Sequence, residues 1–435
     1  MNKFIEKFNF YIICFVILTI PICGLINVFL DNVIKIYPYE ILYFIIPFEI
    51  IIYIYNLVKK NTIFNKYDLC IIIWFFIDIL ATLNAVDIQT SIWGAYNRYE
   101  GLITRIGYFL IFLNAKSFNI KIARNIINVL FISGIVEFIY SIFEVFIRPE
   151  SIGEFVIDGV SYMASGTIGN PNMLGSYCVL LLALSLTLYL IESQKKYLFL
   201  SIVFFVNLLL TCSTGPFLSF CLMLVFTFII LYYKKIVNLK KIFIIVVILI
   251  STFILITISS EFYFKNVFNE KIKKGYSIKQ DIVDIISIPF KKESSNGKIE
   301  ESSEDSVTNE LSNGRIEIWQ NTLKIVPKYF LLGAGIDNFG YVYPQNGIHY
   351  CSKAHNEYLQ ILVTEGIFAL LTYTCLILNL FIDGIKSNNK IVLSCLMSFI
   401  VYIIQALFNI STLTVAPIYF IIIGMLTGLY KSQST

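Results

Sequence analysis

The chain has 435 residues, of which 57% are hydrophobic and only 14% charged, and its mean hydropathy is +0.76. That balance lies well outside the range in which a soluble globular protein keeps its surface wet, so lipid is the expected solvent. The formal charge of +4 is small and gives no reason to expect a nucleic-acid partner. Hydrocarbon offers no partner for a free backbone N–H or C=O, so each apolar run of roughly 17 to 25 residues is expected to be a helix. Strand-type alternation is absent, which argues against a barrel.

Lys3 and Lys7 precede the first apolar run, 11–30. It reads as a span and not a signal peptide, because no small-residue cleavage site follows it. Further runs fall at 39–58, 68–86, 101–115, 125–147, 171–191, 197–212, 215–233, 242–259, 358–382, 391–408 and 413–430. The expectation is an all-α integral membrane protein with about 12 transmembrane helices. An inside N-terminus gathers Lys3, Lys7, Lys59, Lys60, Lys66, Lys116, Lys121, Arg124, Lys195, Lys196, Lys234, Lys235, Lys240, Lys241, Lys386, Lys390 and Lys431 in the cytoplasm. The short outer connections keep only Lys35, Arg98 and Arg148. The bias predicts N-in, C-in orientation.

One segment, about 260–354, breaks the pattern and falls on the extracytoplasmic side. It divides the chain into 1–259, with nine spans, the loop itself, and 355–435, with three more. Residues 291–313 are rich in Ser, Glu and Asn and are expected to be disordered. The stretch that follows places Ile318, Trp319 and Leu323 on neighbouring turns. This predicts a short amphipathic helix near the membrane surface, with Asn313 as N-cap and Pro327 ending it. Most of the nine cysteines lie inside apolar runs as small hydrophobes, and no CxxC or paired Cys/His spacing indicates a metal site.

Polar groups at membrane depth or at its rim are costly, so those that remain are candidates for function. The loop Trp93-Gly-Ala-Tyr-Asn-Arg98-Tyr-Glu100-Gly101 reads either as an interfacial anchor or as an anion site built on the guanidinium fork of Arg98. In Gly166–Tyr177, Asn170 is a possible cap and Pro171 a first helical residue. Thr211–Pro216 is a tight hairpin. Beyond it, Arg315 and the run Lys353-Ala-His355-Asn356-Glu357-Tyr358-Leu359-Gln360 flank the second half of the large loop. His355 is expected to open a helix and share a face with Tyr358, Leu359 and Leu362; such a histidine is either a satisfied interfacial polar group or a base with a pKa near ambient pH.

These motifs resemble the O-antigen ligase and O-antigen polymerase superfamily of envelope glycosyltransferases. The resemblance is most specific from Asn313 to Leu370. There Gly314, Arg315 and Trp319 are followed by Leu332, Gly333, Gly335, Asn338 and Phe339, and then by His355, Asn356, Leu359 and Gln360. The Arg98–Gly101 loop and Gly166–Tyr177 resemble the family's upstream elements. Many members have Ser-Arg-Gly where this chain has Ser213-Thr214-Gly215, so no role of that arginine carries over. The resemblance implies a multi-pass protein of the bacterial cytoplasmic membrane. It would transfer a glycan from undecaprenyl diphosphate to a glycan, lipid or protein acceptor, without cofactor or required metal. Arg98 and Arg315 would stabilise the departing diphosphate and His355 would activate the acceptor hydroxyl, with inversion at the anomeric carbon. Asn356, Glu357, Tyr358, Glu100, Asn170, Asn172 and Trp319 are the expected substrate contacts. A polysaccharide or lipid transporter or flippase is the alternative, and it predicts related halves with charged residues near mid-membrane.

Overall fold

The computed structural model describes residues 3–29, 36–59, 64–96, 98–146, 156–157, 160–161, 163–267 and 313–431. Expectations for Lys35, Lys60 and Arg148 lie outside these residues, as does the expected disorder of 291–313 except at Asn313, which is the first residue of a helix. The described chain is all-helical apart from a two-residue hairpin, β1 (Val156–Ile157) and β2 (Val160–Ser161). Its helices are α1 (Lys3–Phe29), α2 (Pro38–Val58), α3 (Lys66–Leu83), α4 (Ile88–Trp93), α5 (Leu102–Ala115), α6 (Ile120–Phe146), α7 (Pro171–Glu192), α8 (Lys195–Leu210), α9 (Thr214–Tyr233) and α10 (Leu239–Val267). After the gap come α11 (Asn313–Tyr329), α12 (Phe339–Gln345), α13 (Glu357–Thr364), α14 (Ile367–Lys386), α15 (Lys390–Gln405) and α16 (Ala416–Lys431).

Among the described residues, seven helices are long and apolar enough to cross a membrane: α1, α2, α6, α7, α9, α10 and α14. Length and composition among the described residues thus support seven of the expected dozen. The reason is geometric. The 14 residues of α5 rise only about 21 Å at about 1.5 Å per residue, short of a hydrocarbon core of roughly 30 Å, and α15 and α16 are likewise short apolar helices. Lys66, Asp68 and Asp78 interrupt α3.

Burial sorts the helices. The apolar window of α7 is 89% buried and that of α10 only 11%, so α7 is the centre and α10 the rim. Pro171 at its first position and the Asn170 cap start α7, and α8, α9 and α15 pack around it. A second layer joins α5 to α2 and α16, and α3 to α14.

Basic side chains gather at one end of this bundle. Lys66 pairs with Asp383 at 2.5 Å, Lys116 with Asp68, and Arg124 with Glu192 at 2.6 Å, while Lys241 donates to the carbonyl of Leu190 at 2.7 Å. Lys241 thereby neutralises the C-terminal end of α7, which carries partial negative charge.

Two local expectations are corrected. Helix α11 does not stop at Pro327 but runs through it to Tyr329; so close to the end, the missing N–H removes a single ladder bond. The apolar run 358–382 is two helices, because Gly366, at φ 86 and ψ 179, turns the chain between α13 and α14. Only glycine adopts that conformation readily, and a Cβ would collide with the Leu331 carbonyl. The Gly333–Gly335 segment fills this break: Ala334 N–H bonds Val363 O and Gly335 N–H bonds Thr364 O, each at 2.9 Å.

Candidate functional site

At the bundle end opposite the lysines, four chain segments meet. Helix α3 leads into the 84–101 loop, whose start is pinned to the 333–338 turn: Val86 N–H bonds Ala334 O at 2.8 Å, and Asn338 accepts from Asp87 N–H at 2.8 Å and donates to Asp87 O at 3.1 Å. Asp87 in turn caps α4 by accepting from Thr90 N–H. The conspicuous Asn338 of the sequence motif is therefore a clamp between two loops.

His355 does not open a helix as expected. It sits before the cap, at φ 49, and Asn356 caps α13 by accepting from Leu359 N–H at 3.1 Å. His355 therefore stands outside the helix, and its imidazole lies within reach of the charges of Arg315, Arg98 and Lys353. Two bonds to the backbone of the preceding Ala354 fix the approach to it. Trp319 Nε1 donates to Ala354 O at 3.1 Å, and Gln360 Oε1 accepts from Ala354 N–H at 2.9 Å. Burial and the positive charges of Arg315, Arg98 and Lys353 hold the imidazole down to a pKa of about 4. The ring is therefore neutral at physiological pH, as a base must be.

The structure thus brings together Arg98, Arg315 and His355, from three distant stretches of sequence. Arg98 makes one long contact, Nη2 to Ser352 Oγ at 3.5 Å. Arg315, half-buried at the start of α11, lies beside α9: a Cβ on Gly215 would stand 3.8 Å from its Nη1. Burial lowers the Arg315 pKa from its ordinary value. Among the described residues neither arginine has a carboxylate partner. The two neighbouring cations do: Lys353 pairs with Asp337, and Arg105 with Glu365 at 2.8 Å, with Asp78 3.6 Å away.

Other expected contacts serve partly as framework. Asn356 Nδ2 donates to Leu407 O at 3.1 Å, Tyr358 donates to Ile403 O at 2.7 Å, and Glu357 accepts from Ser411 N–H at 2.6 Å. These bonds tie α13 to the end of α15. Asn170 is spent on the α7 cap. Asn172 accepts from Ser213 Oγ at 2.6 Å, which brings the start of α7 beside the start of α9, near Arg315. Glu100 turns inward to accept from Tyr108 at 3.1 Å, and burial raises its carboxyl to about 8.

Sequence reasoning missed several of these groups. Arg105 is buried among Trp74, Asp78 and Glu365: it stacks 5.0 Å from the Trp74 ring, and Trp74 Nε1 donates to Glu365 at 2.7 Å. The signal was present, since Asp78 and Arg105 are opposite charges in two neighbouring apolar runs. Lys353 and Asp337 sit inside the recognised motifs, yet nothing in spacing pairs them. A small cavity of about 30 Å³ among Glu100, Arg105, Asp337, Lys353, Glu357 and Glu365 joins both ion pairs. Among the described residues no group of three or more His, Cys, Asp or Glu is placed to hold a metal ion.

Residues 197–374 match the family model of the O-antigen ligase. The match supports the O-antigen ligase superfamily. It runs from α8 into α14, and so contains Arg315, Asp337, Lys353 and His355 but not Arg98, Glu100, Asn170 or Asn172. The apolar helices indicate a multi-pass membrane protein, and the match makes it similar to membrane glycosyltransferases of the ligase or polymerase type. Nothing among curated proteins or solved structures matches the chain.

Proposed function

We propose that this O-antigen ligase-like protein transfers a glycan from an undecaprenyl-diphosphate carrier to an acceptor hydroxyl at the outer face of the bacterial cytoplasmic membrane. One observation carries the reading: Arg98 and Arg315 crowd a neutral His355 and have no carboxylate partner of their own among the described residues. Two unneutralised guanidiniums suit a diphosphate, whose oxygens each fork can grip in pairs.

The chemistry follows from charge. The arginines help depress the imidazole pKa. A bound diphosphate offsets those charges and so raises the basicity of His355 once the donor is in place. The acceptor oxygen then attacks the anomeric carbon. Its bond to that carbon forms as the bond from carbon to phosphate oxygen breaks, and the electron pair leaves with undecaprenyl diphosphate. The hydroxyl proton passes to His355. The arginines stabilise charge that grows on the leaving oxygen, where preorganised cations contribute most.

The test is transfer by purified protein from a lipid-linked oligosaccharide. Arg98→Ala, Arg315→Ala and His355→Ala are expected to lose at least about 100-fold in rate, the scale of removing one oxyanion-type donor or a general base. Wild-type rates in the folded variants would refute the assignment.

A further inference from the structure

We infer that Asp337 is the positioning residue that sets Arg98 and His355 at their working separation, an inference that rests on the glycosyltransferase reading above. Asp337 stands at the tip of the 333–338 turn with φ 58 and is almost fully buried. One carboxylate oxygen accepts from the backbone N–H of Ala95 at 2.6 Å and of Glu100 at 3.3 Å, on either side of Arg98. The other accepts from Lys353, two residues before His355. A single side chain therefore holds both segments. The direct contact between them, Arg98 to Ser352, is 3.5 Å long and fixes little.

The chemistry needs such a link, because Arg98 would hold the donor and His355 the acceptor. The distance between them sets the approach of nucleophile to anomeric carbon, and a displacement of about 1 Å costs on the order of 100-fold in rate. Lys353 gives the link strength: a charge-assisted bond between two buried groups is shorter and stronger than a neutral one. A left-handed backbone at 337 calls for Asp, Asn or Gly, so Asp337→Asn keeps backbone and size while removing the charge.

The experiment places spin labels at the exposed Tyr96 and Tyr350 through non-canonical amino acids, leaving the native cysteines in place. The distance distribution is compared in wild type and Asp337→Asn. The variant is expected to broaden it, and to lose about 100-fold in kcat with a smaller change in KM for the lipid-linked donor. An unchanged distribution in folded Asp337→Asn overturns the inference. The double variant Asp337→Asn with Lys353→Met removes the unpaired lysine. It should stay slow, and recovery to the wild-type rate would mean that Asp337 only neutralises Lys353. If wild type transfers no glycan at all, the proposed function fails, whereas the distance measurement still decides whether Asp337 joins the two loops.

Discussion

His355 shows how three neighbouring cations and burial set one side chain's chemistry. Its pKa is lowered to about 4, first by burial and then by Arg315, Arg98 and Lys353. Replacing Arg315 with Gln is expected to move it up toward the ordinary histidine value of about 6.5. The chain has only two histidines, so selective carbon-13 labelling gives two ring signals, and His349→Gln assigns them. A titration midpoint that stays at the wild-type value in Arg315→Gln would contradict the proximity. The same shift affects stability. Because the folded pKa is depressed, the unfolded chain binds the proton first as pH falls. The contribution of His355 is complete above about 6.5 and is lost as pH drops toward 4.

Between elements, two devices hold the site. The first is the break between α13 and α14. Gly366→Ala would force a side chain into a conformation that costs about 1 to 3 kcal/mol and against the Leu331 carbonyl. A lower thermal midpoint together with lost activity is the expected result, and an unchanged midpoint would mean that the break relaxes freely. The second is the buried set of Trp74, Asp78, Arg105 and Glu365, which joins α3 and α5 to that same break. Glu365→Gln keeps the shape but removes the nearest charge to Arg105, leaving Asp78 3.6 Å away. Breaking a buried ion pair costs about 3 to 5 kcal/mol, so Glu365→Gln should unfold at a clearly lower temperature than wild type, and an unchanged midpoint would mean that the pair contributes little.

For the whole molecule, charge separates the two ends. Lysines and Arg124 cluster at one end on Asp68, Asp383 and Glu192, and the Arg98, Arg315 and His355 group lies at the other. The charge bias predicts that the basic end is cytoplasmic. Cysteines introduced at the exposed Tyr96 and Tyr350 should react with a membrane-impermeant thiol reagent on intact cells, whereas one at exposed Tyr233 should not until the membrane is opened. Labelling at Tyr233 alone would reverse the orientation.

Hydrophobic length and lysine placement are local properties of the chain, so the sequence by itself determined an all-helical membrane protein, the position of each apolar run and the sharing out of its positive charge. The linear spacing of Gly314-Arg315 and His355-Asn356 was enough to carry the resemblance. The resemblance set them around one diphosphate with Arg98, but how they meet was not legible, because it depends on how the 84–101 loop docks on the 333–338 turn through Val86, Asp87 and Asp337. Nor did composition separate free from neutralised cations. Lys353 and Arg105 look like Arg98 and Arg315 in a sequence, and only the packed structure pairs the first two with Asp337 and Glu365. An ion pair depends on distances across the fold, and spacing along one chain does not contain them.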